Sequence, residues 1–227
     1  MDVEMIYILC EDASKPSFSI KGDLHKYLVK VRRHEVGDEL SLRNKEDIKT
    51  VYKYEIQSCD SRSLEVKLIS SSTEEIESTK KLHIGWCVID AKSIEKVLPS
   101  LSEIGVSKIS FIYCERSQKN FRLDFNRFER ILEASVQQCG RTSFIEFDTF
   151  NNIEKFIKEY PHAKVFDFCD NILRDNADFE TVLIGCEGGF SKQEKELLKS
   201  QDVFRLNTPM VLRSESAVMA VASKILL

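Results

Sequence analysis

No stretch of these 227 residues is apolar for long enough to cross a membrane, and the opening MDVEMIYILCEDAS is acidic where an export signal would be basic. The chain is therefore expected in the cytosol, with no membrane partner. Neither G-x-G-x-x-G nor G-x-x-x-x-G-K-[ST] occurs, so a dinucleotide-binding or P-loop enzyme lacks sequence support. The seven cysteines (Cys10, Cys59, Cys87, Cys114, Cys139, Cys169 and Cys186) form no C-x-x-C pair and have no histidine at ligand spacing. That argues against a bound metal, and the odd count against a disulfide framework. Six of them lie in or beside apolar strand-like runs, which reads as buried reduced thiols. Positive charge is not in excess either: 33 Lys and Arg against 37 Asp and Glu leave a net charge of −4. Global attraction to nucleic acid is excluded, and only local clusters could bind it.

What is present divides into two patterns. Strand signals fill the first seventy residues: MIYIL at 5–9, ELSLR at 39–43, TVYKYEI at 50–56 and SLEVKLI at 63–69, with a turn at Val36-Gly37-Asp38. One helix interrupts them, with Asp23 as its expected N-cap and Leu24, Tyr27, Leu28 and Val31 at helical spacing. This suggests a small β-barrel with one helix over 1–71. Residues 70–79, SSSTEEIEST, have the composition of a linker. From 72 to 227 strands and helices alternate, beginning with LHIGWCVI at 82–89 and KISFIYC at 108–114, each followed by an amphipathic helix. They continue through AKVFDFC at 163–169, TVLIGC at 181–186 and a strand near Val203 to Leu206. Alternation of this kind implies an α/β domain with a largely parallel sheet.

Chemistry concentrates near the C-terminus. After TVLIGC come Glu187-Gly188-Gly189-Phe190 and then Ser191 with Glu194 three residues on, a capping box that opens a helix. Paired glycines permit a tight turn and let a flat ligand approach the peptide groups, although an ordinary strand-to-helix turn needs no more than this. Pro209 stops any helix before Ser214, the expected N-cap of ESAVMAVASKILL. Arg213 then stands at a helix N-terminus, where a cation is disfavoured unless an anion or polarised substrate compensates it. Glu215 there is equally served by the helix dipole. The final helix is apolar over most of its circumference, which suggests burial on two sides or a homodimer contact. Basic clusters occur at Lys21, Lys26, Lys30, Arg32 and Arg33, and at Arg116, Lys119, Arg122, Arg127, Arg130 and Arg141.

Several segments in order carry a more specific signal: His25 with VRR at 31–33 and the following VGDEL, SEIGVSKI at 102–109, ERS at 115–117, QQCGR at 137–141, LIGCEGGFS at 183–191 and VLRSESA at 211–217. Together they resemble the RsmE family of 16S ribosomal RNA uridine-N3 methyltransferases, within the SPOUT class. The resemblance implies a PUA-like β-barrel RNA-binding domain followed by an α/β methyltransferase domain with a C-terminal trefoil knot. It further implies S-adenosyl-L-methionine as cofactor, 16S rRNA in the small ribosomal subunit as partner, and a homodimer formed through the second domain.

The implied reaction is methylation of N3 of one uridine (U1498), with Arg213 and Glu215 as catalytic candidates. The cofactor would be held by Leu183, Ile184, Gly185, Glu187, Gly188, Gly189, Leu206, Leu212 and Ser216. RNA would be gripped by His25, Lys30, Arg32, Arg33, Arg116 and Arg141. The chain departs from the family pattern at Cys186, where proline is usual, at Ser216 for threonine, at Ser100 for lysine, and at Asn207, Thr208 and Met210 in the second loop. Other readings are a SPOUT enzyme acting on another nucleotide or on a ribose 2′-hydroxyl, and a non-catalytic RNA-binding assembly factor.

Overall fold

The computed structural model describes residues 7–117, 122–174 and 177–227. The chain separates into two compact units, one running to Ile76 and including Val136–Ser143, the other made of Glu77–Ser135 and Phe144–Leu227.

In the first unit, β1 (Ile8–Leu9), β2 (Ser17–Lys21), β3 (Glu39–Asn44), β4 (Asp47–Cys59) and β5 (Ser63–Thr73) form one sheet in the order β1-β3-β4-β5-β2. All its pairings are antiparallel except that of β1 with β3. Alternating residues of β4 and β5, among them Val51, Tyr54, Ile56, Leu64 and Val66, are buried. That is the period-two pattern of a half-buried strand. Met5 and Ile6 of the expected first strand lie outside the described residues, while β2 had gone unnoticed in the sequence.

The single helix begins at α1 (Gly22–Lys26) and continues as one wide turn of π-helix over Tyr27–Val31. Asp23 is not its cap: Lys21 holds that position, and the Asp23 carboxylate, in the first turn, pairs with Lys26 at 2.8 Å. Gly37 makes the expected turn with φ of +94°. The first four residues of the expected linker are strand, because β5 continues to Thr73 against β4. The segment Val136–Ser143 joins this unit because Tyr7 donates to the Arg141 carbonyl (2.6 Å), Leu9 N–H to Gln137 (2.8 Å), and Thr142 pairs with Ile76.

The second unit contains β6 (His83–Cys87), α2 (Ala91–Ile104), β7 (Lys108–Ile112), α3 (Phe125–Cys139), β8 (Glu146–Phe150), α4 (Ile153–Glu159), β9 (Lys164–Phe166), β10 (Thr181–Ile184), α5 (Lys192–Leu197), β11 (Val203–Phe204) and α6 (Ser214–Leu226). Its six strands are parallel, in the order β11-β9-β10-β6-β7-β8. Asp90 and Asn152 cap α2 and α4 by accepting from backbone N–H groups, and Ser191 with Glu194 completes the expected capping box of α5. Gly140, with φ of +83°, follows α3 as expected. The core packs Trp86, Phe111, Phe128 and Leu98 around the centre of the sheet.

The strand order reverses between β6 and β10. Chain that first runs outward through β7 and β8 returns to the other side of β6, and such a switch leaves a crevice at the carboxyl ends of the strands. Among the described residues no helix is long and apolar enough to cross a membrane.

One buried titratable group belongs to this scaffold. His83 on β6 is 7% exposed, with Nε2 2.8 Å from Ser110 Oγ. Burial, with the Lys108 ammonium nearby, pulls its pKa down to about 4. The folded protein thus keeps His83 neutral where the unfolded chain, with its pKa near 6.5, takes up a proton. Its contribution is full above pH 6.5 and is lost as the pH falls towards 4, by at most about 3 kcal/mol. Urea unfolding of wild type and His83→Gln between pH 7 and 4.5 checks this: the wild type should lose more stability than the variant over that interval.

Candidate functional site

A cavity of about 130 Å³ lies at the carboxyl ends of β9, β10 and β11, on one side of the switch point. Its walls come from three strand ends: Phe166–Phe168 at the end of β9, Ile184–Glu187 with Gly189 and Phe190 at the end of β10, and Arg205 with Leu206 after β11. Met210–Leu212 and the first turn of α6 complete them. The lining is mostly apolar side chain and backbone. Two acidic groups meet it, Asp167, paired with Lys195 at 2.7 Å, and the exposed Glu187.

The glycine turn has a definite architecture. Gly189 N–H donates to the Cys186 carbonyl at 2.8 Å, and Gly189 has φ of +63°, a conformation that side-chain-bearing residues avoid. A Cβ on Gly185 would stand 3.4 Å from both Gly189 Cα and the Phe190 ring, so the strand end and the turn touch through bare backbone. Two residues from the loop after β7 brace this turn. Arg116 Nη1 donates to the Gly188 carbonyl, and Glu115 N–H donates to Glu194 Oε1 at 2.8 Å. Glu194 Oε2 accepts from Ser191 N–H at 2.8 Å, so one buried carboxylate caps α5 and ties two loops together.

Ser214 links the cavity to α6. Ser214, the expected N-cap, is the first helical residue, and Arg213 occupies the cap position. The Ser214 hydroxyl accepts from the Trp86 indole N–H (2.8 Å) and donates to the Gly185 carbonyl (2.7 Å). A serine that does this has no hydroxyl left for capping.

Three thiols lie beneath the turn. Cys87, Cys114 and Cys186 are buried, and the last two have Sγ atoms 3.6 Å apart. The Cys186 contact holds the Cys114 thiol below its ordinary range, while the same contact and burial push Cys186 above it. Burial pushes Cys87 well up. Not every cysteine is buried as expected: Cys59, at the outer end of β4, is exposed.

The sequence candidates separate on this geometry. Ile184, Gly185, Glu187, Gly189, Leu206 and Leu212 line the cavity. Leu183 is enclosed in the sheet, and Gly188 faces Arg116. Ser216 is exposed and lies with Arg213 and Glu215 in a neighbouring open depression, together with Lys96 and Met219. Helical spacing explains the division: Ser214 and Ala217, three apart, face the cavity, while Arg213, Ser216, Ala220 and Ser223 share another face of α6. Arg213 is exposed, and Glu215 Oε2 is buried without a hydrogen-bond partner among the described residues.

Of the expected RNA contacts, Lys30, Arg32 and Arg33 are exposed at the end of the π-helical turn, where Arg33 has φ of +60°. His25 is buried instead, its Nε2 3.1 Å from the Asp60 carbonyl. Arg141 is also buried, with Nε donating to Ser143 Oγ at 3.0 Å. Both side chains are bonded within the first unit. Arg116 is exposed but braces Gly188, and Lys119 lies outside the described residues. The wall from Phe166 to Phe168 was missed. The available signal was the end of the AKVFDFC strand, one of three whose ends wall the cavity.

Comparison with known proteins adds three findings. A family model described as an RNA methyltransferase domain matches residues 76–226. The ribosomal RNA small subunit methyltransferase E of Helicobacter pylori is 40% identical over 215 residues, covering 93% of this chain and 95% of that protein. Among solved structures, a putative methyltransferase of Legionella pneumophila in complex with bound cofactor SAM superposes with a TM-score of 0.76 at 23% identity, covering 96% of this chain and 94% of that one. The ribosomal RNA small subunit methyltransferase E of Neisseria gonorrhoeae bound to S-adenosyl methionine gives 0.75 at 17%, with 96% and 95% covered. These two structures share the fold.

Ser214→Ala should cost about 1–3 kcal/mol, because it strands the buried Trp86 N–H and the Gly185 carbonyl together. Trp86→Phe in the same chain removes the stranded donor, so the double variant should lose less than the sum of the single losses. Circular dichroism during urea titration measures both, and additive losses would contradict a coupled relay.

Proposed function

The chain belongs to the ribosomal RNA small subunit methyltransferase E family of RNA methyltransferases, and from that membership we propose that it methylates N3 of a specific uridine in 16S ribosomal RNA, using S-adenosylmethionine. The observation that carries the proposal is the cavity at the ends of β9, β10 and β11, walled by bare glycine backbone and apolar side chains.

The residues fit this cofactor. Gly185 and Gly189 leave peptide groups open to a flat adenine, and Ile184, Leu206 and Leu212 offer apolar contact. Asp167 and Glu187 supply acceptors and negative charge for hydroxyl and cationic groups. When bound, the cofactor supplies a methyl group activated by a sulfonium.

The chain's own part is to orient the uracil and manage one proton. N3 is a weak nucleophile while protonated, because its lone pair is shared with two carbonyls, so negative charge must develop on O2 and O4 as the proton leaves. Arg213, exposed between the cavity-lining Leu212 and Ser214, is assigned to stabilise that charge. Glu215, with its unpartnered Oε2, is assigned to accept or orient the proton. A base must leave its stack to reach such a site.

RNA grip is assigned to Lys30, Arg32 and Arg33 of the first unit, read as a PUA-like domain, acting through phosphates and loop shape. Arg116 contributes from the second unit. We further infer a trefoil knot in the second unit and a homodimer formed through it. The packing of the Leu206–Leu212 segment and the Gly185–Gly189 turn on one cavity, pinned by α6, supports the first. The partly exposed Met219 and Ala220 on α6 support the second.

Purified protein, labelled cofactor and small subunits lacking the modification provide the test. The label should be recovered as N3-methyluridine, and recovery on a ribose would replace this assignment. Arg213→Ala should lower methyl transfer by about a hundredfold or more while leaving cofactor affinity within a few fold, and near-normal turnover would remove Arg213 from its role.

Gly189→Val tests the cofactor placement independently. Valine is strained at φ of +63°, so S-adenosylmethionine affinity measured by calorimetry should fall at least about tenfold. Unchanged affinity would move the cofactor elsewhere.

A further inference from the structure

Three of the seven cysteines converge from the ends of three strands: Cys87 from β6, Cys114 from beyond β7 and Cys186 from beyond β10. Cys114 and Cys186 face each other sulfur to sulfur at 3.6 Å, and a third group, the Ser117 hydroxyl, lies 3.1 Å from the Cys114 sulfur. Cys186 also lines the cavity, so one member of the pair can be reached from that space. All seven cysteines are free thiols. The methyl-transfer chemistry assigned above uses none of them.

We propose that Cys186 and Cys114 form a peroxide-oxidisable thiol pair whose disulfide shuts the cofactor cavity. The proposal rests on the reading of that cavity as the S-adenosylmethionine site. One proton leaves the pair to water, the proton that remains passes from Cys186 to the Cys114 sulfur, and the Cys186 thiolate so formed attacks an oxygen of hydrogen peroxide. The O–O bond breaks, Cys186 becomes a sulfenic acid and hydroxide departs, to be neutralised by the released proton. The Cys114 sulfur then attacks the Cys186 sulfur; its proton and the sulfenic hydroxyl leave as water. Two thiols are oxidised, one peroxide is reduced, and two waters form.

The geometry makes closure cheap in distance and consequential in effect. A disulfide needs a sulfur separation near 2.05 Å, so the sulfurs must approach by roughly 1.5 Å. Cys186 is the anchor of the glycine turn: its carbonyl accepts from Gly189 N–H, and its neighbour Gly185 is held by Ser214. Pulling Cys186 towards Cys114 therefore moves the backbone on which the cofactor is proposed to rest. Conversely, a ligand in the cavity covers Cys186, the sulfur assigned to attack peroxide, while Cys114 borders a second, open depression beside Tyr113 and Glu115. Cys87 reaches Cys114 but is fully enclosed, at 0% exposure, and is the bystander of the three.

The test treats the full-length protein, stripped of cofactor, with hydrogen peroxide and maps its peptides by mass spectrometry. The expected product joins the Cys114 and Cys186 peptides with loss of two hydrogens, and reduction with dithiothreitol reverses it. Cys114→Ala and Cys186→Ala should each abolish the joined product, and Cys87→Ala should retain it. Calorimetry should show the oxidised protein binding S-adenosylmethionine at least about tenfold more weakly than the reduced protein. Saturating S-adenosylmethionine should slow the cross-link.

Oxidation confined to exposed Cys59, or a Cys87–Cys114 product, would overturn the pairing. A cross-link that leaves affinity unchanged would overturn its effect on the cavity. If the reduced protein fails to bind S-adenosylmethionine, the functional reading of the cavity fails, while the peptide map still decides the disulfide by itself.

Discussion

The structure of the site depends on one buried hydroxyl. Ser214 accepts from the Trp86 indole and donates to the Gly185 carbonyl, so that β6, β10 and the start of α6 are joined through a single oxygen. Each group would cost free energy if left unpaired in the core. Removing any one member therefore disturbs the other two. Because Gly185 precedes the glycine turn and Ser214 follows the Met210–Leu212 wall, this relay fixes the distance between the two loops that enclose the cavity. It also explains why the helix begins without a side-chain cap: the hydroxyl is engaged elsewhere.

A second set of contacts works in the same direction. Glu194 caps α5 and reaches the loop after β7, and Arg116 in that loop reaches back to Gly188. The turn is held from both sides by charged groups bonded to backbone, an arrangement that orders a glycine-rich segment without adding bulk where a ligand would lie. Charge in the chain is spent locally in this way. Arg43 on β3, for example, is buried with its guanidinium paired to Glu74, which is why basic residues cannot be counted as nucleic-acid contacts from spacing alone.

Much of the fold was legible from residue order. Alternation in β4 and β5, the αβ alternation after residue 80, the capping box at Ser191 and Glu194, and the glycine closing α3 all depend on neighbours within a few positions. The two caps assigned otherwise show where local reading stops: Lys21 at the end of β2 takes the cap position ahead of Asp23, and the distant Trp86 indole and Gly185 carbonyl engage the Ser214 hydroxyl, while the burial of His25 beside the Asp60 carbonyl is set by residues far along the chain. The three-cysteine cluster was invisible for the same reason, since Cys87, Cys114 and Cys186 lie far apart in the chain.

The sequence by itself determined most of the elements and their order, β2, β8 and α4 excepted, together with the parallel character of the second sheet and the loops where ligand chemistry was expected, because hydrophobic period, turn residues and caps are local properties of the backbone. Tertiary structure alone decided which face of α6 looks into the cavity, which basic residues stay in water, and which thiols meet. Those outcomes depend on the strand order β10-β6-β7, which brings residues a hundred positions apart within a few ångströms, where burial and close contact set their chemistry.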